Sequence, residues 1–418
     1  MKRSTTISAT VLFLITGFIG CNQSKPQSEG FITVDVTATY PKKDLILQDF
    51  MDVEYIPLET NKEFLTSGYV QAIGKNIIIV RNINQAGADI FIFDRKGKGL
   101  RKINRMGQGN GEYTFITGTI TLDEDNDEIF VNCGGLRKVF VYDLFGNFKR
   151  SLNYMVGGKE SGRFKNDIIY DPIYNFDQDN LICQDCTSGR NFFGQGTNGT
   201  RDEDLESRNI FWIISKRDGS VSKEIKIPFE KKIFQLVFSS AGIGKVSNMG
   251  IISYRDRWIL VEPSADTIYS YSTDHKMTPF IVRTPSVQSM DPEVFLFPGV
   301  ITDRYCFMQT VKKEYKETEP RSKLLETELV YDRQEKKIFE YVVYNDDFTN
   351  KRPIKNLVDE ILTLNVLNND DIAFVEKIEA NELVEAYERG ELNGKLKEIA
   401  ATLDEESNPI IMLAKYKK

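Results

Sequence analysis

The strongest constraint on this chain is a strand–turn–strand unit that recurs along most of its length. Residues 90–103 read IFIFDRKGKGLRKI: an alternating apolar strand, a turn at Asp94 to Gly97, and a second strand. Alternation closed by an Asp/Gly turn is the signature of a β-hairpin. The unit returns at residues 139–152, 211–227, 268–282 and 328–343. A weakly alternating pair precedes each copy, at residues 70–81, 119–132, 169–184, 250–262 and 300–311. The turn residues Asp94, Asp143, Ser215, Ser272 and Asp332 stand 49, 72, 57 and 60 residues apart. Four-stranded units in series at this spacing predict a β-propeller. A solenoid needs much shorter repeats, and a sandwich does not repeat so regularly.

The sixth unit is split. Residues 362–378 supply its inner hairpin, with the turn at 368–371, and residues 409–416 return as a further strand. A strand from residues 31–60 is expected to complete that blade, closing the ring so that no sheet edge is left open. Within it VEYIPLET alternates, and Pro57 favours an edge position. Between the two halves, Leu383, Tyr387, Leu392, Leu396, Ile399 and Leu403 form an approximate helical stripe, broken at Gly390 and Gly394. This insert, about residues 380–404, is read as a strut packed on the ring. The expectation is an all-β fold: a six-bladed β-propeller of four-stranded antiparallel blades, with a helical insert near the C-terminus, forming one domain over residues 31–418. Residues 157–209, rich in glycine, charge and aromatics, are long for a connection, which raises the odds of a functional role.

The N-terminus sets the compartment. Residues 1–20 carry a basic start (Lys2, Arg3) and an apolar run over 11–19, a secretory signal too short for a mature membrane span. Phe18-Ile19-Gly20-Cys21 resembles a bacterial lipobox, which implies lipidation of Cys21 and attachment to a membrane through the N-terminal lipid. Residues 21–30 then form a polar tether. Net charge is −7, and −9 once Lys2 and Arg3 are removed. No basic stripe interrupts the sequence, so a nucleic-acid partner is not expected.

The whole mature chain is similar to the six-bladed β-propeller lipoproteins of Bacteroidota, related in fold to NHL and TolB-like propellers. The similarity rests on the lipobox at Cys21, on Tyr55-Ile56-Pro57-Leu58-Glu59-Thr60, and on Ile92-Phe93-Asp94 through Gly97. Gly107-Gln108-Gly109-Asn110-Gly111-Glu112-Tyr113 and Asn408-Pro409-Ile410-Ile411-Met412 also carry it. Asn110 stands where the family commonly has proline. The resemblance implies the fold and an envelope location, outer membrane with the periplasmic face favoured, and hardly any activity.

Candidate chemistry is sparse. The one histidine, His275, falls in a blade turn and is read as a turn residue rather than a catalytic base. Residues 123–128, DEDNDE, invite a calcium reading, but an EF-hand needs Gly sixth and Glu twelfth, where this chain has Glu128 and Gly134. A solvated hairpin turn is expected there, and no metal or other cofactor. Cys183 and Cys186 could form a local disulfide in an oxidising compartment, or be buried thiols or an accidental pair. The glycine-rich stretch 107–113 lacks the strand–helix setting of a nucleotide loop and is read as an inter-blade connector. Its neighbours Arg105, Gln108, Glu112 and Tyr113 are the candidate channel-mouth residues for a ligand.

The function expected first is a non-enzymatic binding module that presents loops around a funnel to a glycan, peptide or envelope protein. A lyase or hydrolase using carboxylates, Tyr and Arg in the channel is the alternative, and a scaffold in an envelope complex the second. Carboxylates converging with Tyr or Arg on the funnel floor would favour the enzyme.

Overall fold

The computed structural model describes residues 30–82, 89–154, 170–185, 211–233, 235–239, 242–246, 250–316, 323–354, 357–358 and 371–417. They form a six-bladed β-propeller. Blades 1 to 5 span residues 69–104, 120–153, 170–225, 251–284 and 294–345, each with four consecutive antiparallel strands. The first strands of blades 1, 2 and 3 touch one another around the axis. Apolar clusters fill the seams: Ile79 and Ile92 of blade 1 meet Leu122 and Val131 of blade 2, and Phe130 of blade 2 meets Ile173 and Trp212 of blade 3. At roughly 1.5–3 kcal/mol for each fully buried large apolar side chain, these seams supply the main drive for ring formation.

The repeating turn joins the third and fourth strands, as the sequence predicts. In blade 1 the Asp94 carboxylate accepts the N–H groups of Lys96 and Lys98 at 2.8 and 2.9 Å; in blade 2 Asp143 accepts those of Phe145 and Asn147, both at 2.8 Å. Each turn then needs one residue at positive φ. Gly97, Gly146 and Gly219 fill that place in blades 1 to 3, His275 in blade 4 and Lys336 in blade 5. Gly97 is also a point of close approach. A Cβ there would lie 2.0 Å from the carbonyl oxygen of Pro57, where blade 6 abuts blade 1.

Blade 6 is built from both ends of the chain. Its described strands are Ile372–Ile378, Ile410–Tyr416 and an N-terminal strand, in that order; the expected inner turn at 368–371 lies almost wholly outside the described residues. The N-terminal region holds more than the single closing strand expected of it. Three strands follow one another: β1 (Ile32–Asp35), β2 (Lys42–Ile46) and, after the one-turn helix α1 (Leu47–Phe50), β3 (Met51–Pro57). Only β3 closes the ring, pairing antiparallel with Ile410–Tyr416. β1 adds in parallel to the fourth strand of blade 4 and β2 in parallel to the fourth strand of blade 5. The first half of this region is thus a strap across the outer wall of blades 4 and 5.

The strap is held by apolar residues and one cation. Val34 and Leu47 are fully buried, and Ile32 and Leu45 nearly so. Lys43 reaches the buried Asp332 carboxylate at 2.8 Å and Glu335 at 2.5 Å, over the Phe339 ring. The helical insert forms two short helices, α2 (Ala380–Glu388) and α3 (Gly394–Ala400), separated where Gly390 takes positive φ. Leu383, Leu392, Leu396 and Ile399 bury in the main core, while Tyr387 of the stripe stays exposed.

Candidate functional site

Antiparallel four-stranded blades place the inter-blade connectors and the loops between second and third strands at one end of the ring. At that connector end, a side chain near the end of the second strand ties the blade to its neighbour in four of the six blades. Arg81 of blade 1 donates to the carbonyl of Ile116 at 3.2 Å, in the connector that enters blade 2. Asn132 of blade 2 donates to the carbonyl of Tyr170 at 2.6 Å, at the start of blade 3. Gln184 of blade 3 accepts the N–H of Gly250 at 3.2 Å, just before blade 4. Lys377 of blade 6 donates to the carbonyl of Ser67 at 3.2 Å, just before blade 1, and lies over the Tyr69 ring. Each side chain ties its blade to the entry of the next. Blade 4 has the apolar Val261 there, and Gln309 of blade 5 bonds Glu328 of its own blade at 2.7 Å. At the seam between blades 4 and 5 the tie comes instead from the fourth strand, where Arg283 donates to the carbonyl of Val294; the strap crosses this same seam and α1 leads on to blade 6.

Around Asn132 the ties become a network. Asp171 accepts the N–H of Thr119 at 3.2 Å and the Asn132 amide at 3.3 Å, and the Tyr154 hydroxyl donates to Asn132 Oδ1. Burial lowers the pKa of the Arg81 guanidinium, and the Asp171 charge acts against that shift. Across the ring, Lys232 and the buried Glu262 form an ion pair at 2.7 Å, and Glu262 also accepts the Ser264 N–H at 3.0 Å. The carboxylates of Asp171 and Glu262 are therefore engaged by amides or an ammonium. Beside Glu262 a small cleft is lined by Ala265, Asp266, Arg283 and Leu296, with about 10 Å³ of room for a water centre. That suits a single water molecule. Burial brings the Arg283 pKa down to about 10.

One side of the connector end is walled. The second and third strands of blade 5, Tyr305–Lys316 and Lys323–Asp332, are 12 and 10 residues long, against 4 to 6 for those of blades 1 to 4. Their extra length projects from the connector end. A two-stranded hairpin, Leu236–Ser239 with Gly242–Lys245, rises from the connector between blades 3 and 4 and touches the long blade 5 strand.

The candidate ligand residues from the sequence, Arg105, Gln108, Glu112 and Tyr113, lie on the connector between blades 1 and 2. Tyr113 is fully buried, and its hydroxyl accepts the Arg105 N–H at 3.2 Å. Burial raises its pKa to about 12. The Arg105 side chain donates to the Gly146 carbonyl at 2.7 Å, in the outer turn of blade 2. Glu112 turns back on its own loop to accept the Gly109 N–H at 2.8 Å, and the Tyr142 hydroxyl donates to the Gly111 carbonyl at 2.9 Å. The loop is a clasp over the outer half of the seam between blades 1 and 2. Gln108 and Glu112 keep exposed surface. Cys21 lies outside the described residues.

The acidic turn is less solvated than expected. Asp125 is open to water, but Asp123 is buried against Lys216 of blade 3 at 2.6 Å and Glu128 against Arg150 at 2.6 Å. Glu124 accepts the N–H groups of Lys75 and Asn76 from blade 1. Those carboxylates join three blades at the end opposite the connectors. His275 is exposed in its turn, hydrogen-bonded to the Tyr271 hydroxyl at 2.9 Å and stacked on Phe176. Cys183 is a free, buried thiol; Cys186 lies outside the described residues.

The family model described as "Domain of unknown function (DUF4934)" matches residues 31–415. The chain belongs to this family. The DUF4934 match covers the strap, all six blades and the helical insert alike. Among solved structures, the DUF4934 chain is similar to a protein of Bacteroides fragilis described as exported, at 14% identity and a TM-score of 0.59. The alignment covers 93% of this chain and 100% of that one, and it shows the shared fold. A member of a second family of unknown function, from Bacteroides vulgatus, aligns at 11% identity and a TM-score of 0.46, covering 88% and 96%. Among curated proteins none matches the chain.

Proposed function

We propose that this protein is an envelope-anchored, non-enzymatic binding module. Cys21 would carry the lipid, and the ring would sit at the outer membrane, on its periplasmic face. The observation behind the reading is the asymmetry of the connector end. A raised wall over blades 4 and 5 stands at the same end of the ring as the polar network at the seam of blades 2 and 3, where Asn132 is buried and holds the partly exposed Tyr154 and Asp171. A preorganised polar surface beside a wall suits recognition of an extended ligand such as a glycan or peptide. The engagement of Asp171 and Glu262 speaks for recognition over acid–base work, since a general base needs a carboxylate free to take a proton. Two tests bear on the reading. Palmitate labelling should report lipid on the wild type and not on Cys21→Ala. Capture from native envelopes should recover a specific glycan, peptide or protein, and shortening the blade 5 hairpin to the length of its neighbours should abolish capture while the ring stays folded. Capture unchanged by that shortening, or turnover of a screened substrate, would overturn the assignment.

A further inference from the structure

The outer strands of blades 1 to 5 fall into two chemical groups, and the strap covers only one of them. The outer strands of blades 1, 2 and 3, which pair with no further strand among the described residues, carry charged pairs in mid-strand: Arg101 and Lys102, Lys149 and Arg150, Lys223 and Glu224. Charged residues, lysine above all, are a standard device against edge-to-edge pairing. The outer strands of blades 4 and 5, Met277–Thr284 and Lys337–Asn345, have no lysine beyond the first residue of the latter. They read MTPFIVRT and KIFEYVVYN; beside Pro279, Arg283 and Glu340 each keeps an apolar run, Phe280–Val282 and Tyr341–Tyr344, that can template another strand. β1 covers Ile281 to Thr284 and β2 covers Glu340 to Tyr344.

The strap that fills these edges belongs to no blade by sequence order. Each blade keeps its own four strands without it, whereas blade 6 cannot be completed without β3. Its complementarity is specific. Ile32 and Val34 alternate with exposed Thr33 and Asp35, and Lys43 docks on a carboxylate that Arg304 also holds at 3.1 Å. Asp332 therefore keeps a counter-charge when the strap leaves. Only one helical turn, α1, links the strap to the ring.

We propose that the outer edges of blades 4 and 5 are strand-acceptor sites, occupied in cis by residues 32–46, and that a second copy of this chain fills them by strap exchange. The partner is another copy because the alternation and the Lys43 contact that the edges select are written in this chain's own strap. Exchange of one such element between identical chains is a low-cost route to a dimer.

A synthetic peptide of residues 30–46 serves as the probe. In the full-length chain, Val34→Asp with Leu45→Asp weakens the strap without touching either edge. This variant should bind the labelled peptide one to one, more than about tenfold tighter than the wild type, whose edges are already filled. A peptide carrying the same two aspartates should not bind. Tagged and untagged wild-type chains refolded together at high concentration should be retained together, and excess peptide should abolish the retention. A folded variant that ignores the peptide, or co-refolded chains that are never retained together, would overturn the proposal. Should the variant fail to fold, hydrogen exchange on the wild type decides. Residues 32–46 should exchange as one unit ahead of the inner strands of blades 4 and 5, and exchange in step with those strands counts against a detachable strap.

Discussion

The backbone N–H of Asn408 donates to the hydroxyl of Thr60 at 2.8 Å, across 348 positions of sequence. The Asn408 side chain extends the contact, its amide donating to the carbonyls of Glu59 and Phe64 and its oxygen accepting the Thr66 N–H at 2.9 Å. Asn408, Phe64 and Thr66 are buried, while Glu59 and Thr60 lie at the surface. Asn408→Ala removes the three side-chain bonds and strands backbone groups in the interior. The expected loss is about 3 kcal/mol, read as a lower urea midpoint with an unchanged slope.

Acid stability should report the strap. Burial works against the ionised form of Asp332, but Lys43, Arg304 and the N–H groups of Glu335 and Gln334 outweigh it and bring its pKa from 3.8 to about 2. A carboxyl with a depressed folded value contributes stability that is complete above its unfolded value. That contribution is lost as the pH falls through about 4 towards 2. Lys43→Met should raise the Asp332 value and flatten this acid limb, measured as unfolding free energy from pH 5 to pH 2.

The seam ties make a paired prediction. Asn132→Leu takes a donor from the Tyr170 carbonyl and an acceptor from the Tyr154 hydroxyl, at a cost of about 2 kcal/mol in thermal or urea unfolding. Gln309→Leu, whose amide bonds within its own blade, should cost less than about 1 kcal/mol.

Thiol chemistry follows burial. Desolvation pushes Cys133 and Cys306 up to about 12 and Cys183 well above its ordinary value. Iodoacetamide at pH 8 should leave all three unmodified in the folded protein and alkylate all three in urea, as peptide mass spectrometry would show. Fast native labelling of Cys183 would contradict its placement in the core of blade 3.

The blade hairpins were legible because each repeats one local chemistry: alternation, an Asp or Ser opening the turn, and a residue tolerant of positive φ. Even His275 obeys that rule, standing where blades 1 to 3 use glycine. The closing strand was legible from its alternation and Pro57. β1 and β2 were not, because alternation over four or five residues names no partner, and their partners lie about 250 to 300 positions further along the chain. The seam ties also escaped notice. Arg81, Asn132, Gln184 and Lys377 share a place and a task but no residue type. The glycines of the 107–113 loop told of close approach but not of its partner: Gly111 lies against the Phe148 ring, Tyr113 is buried beneath the loop, and Arg105 keeps exposed surface.

The pairing of β3 with Ile410–Tyr416 also fixes the order in which the molecule can be finished. A chain made or transported N-terminus first presents β3 before its partner exists, and that partner follows only after all of blades 1 to 5. Blades 1 to 5 can form as they appear, but the circle cannot shut until Ile410–Tyr416 is present. The closing contact is thus among the most non-local in the fold, and its formation should set the pace of folding. Until then β3 is an unpaired strand. A truncated or stalled chain ends as an open arc rather than a smaller ring.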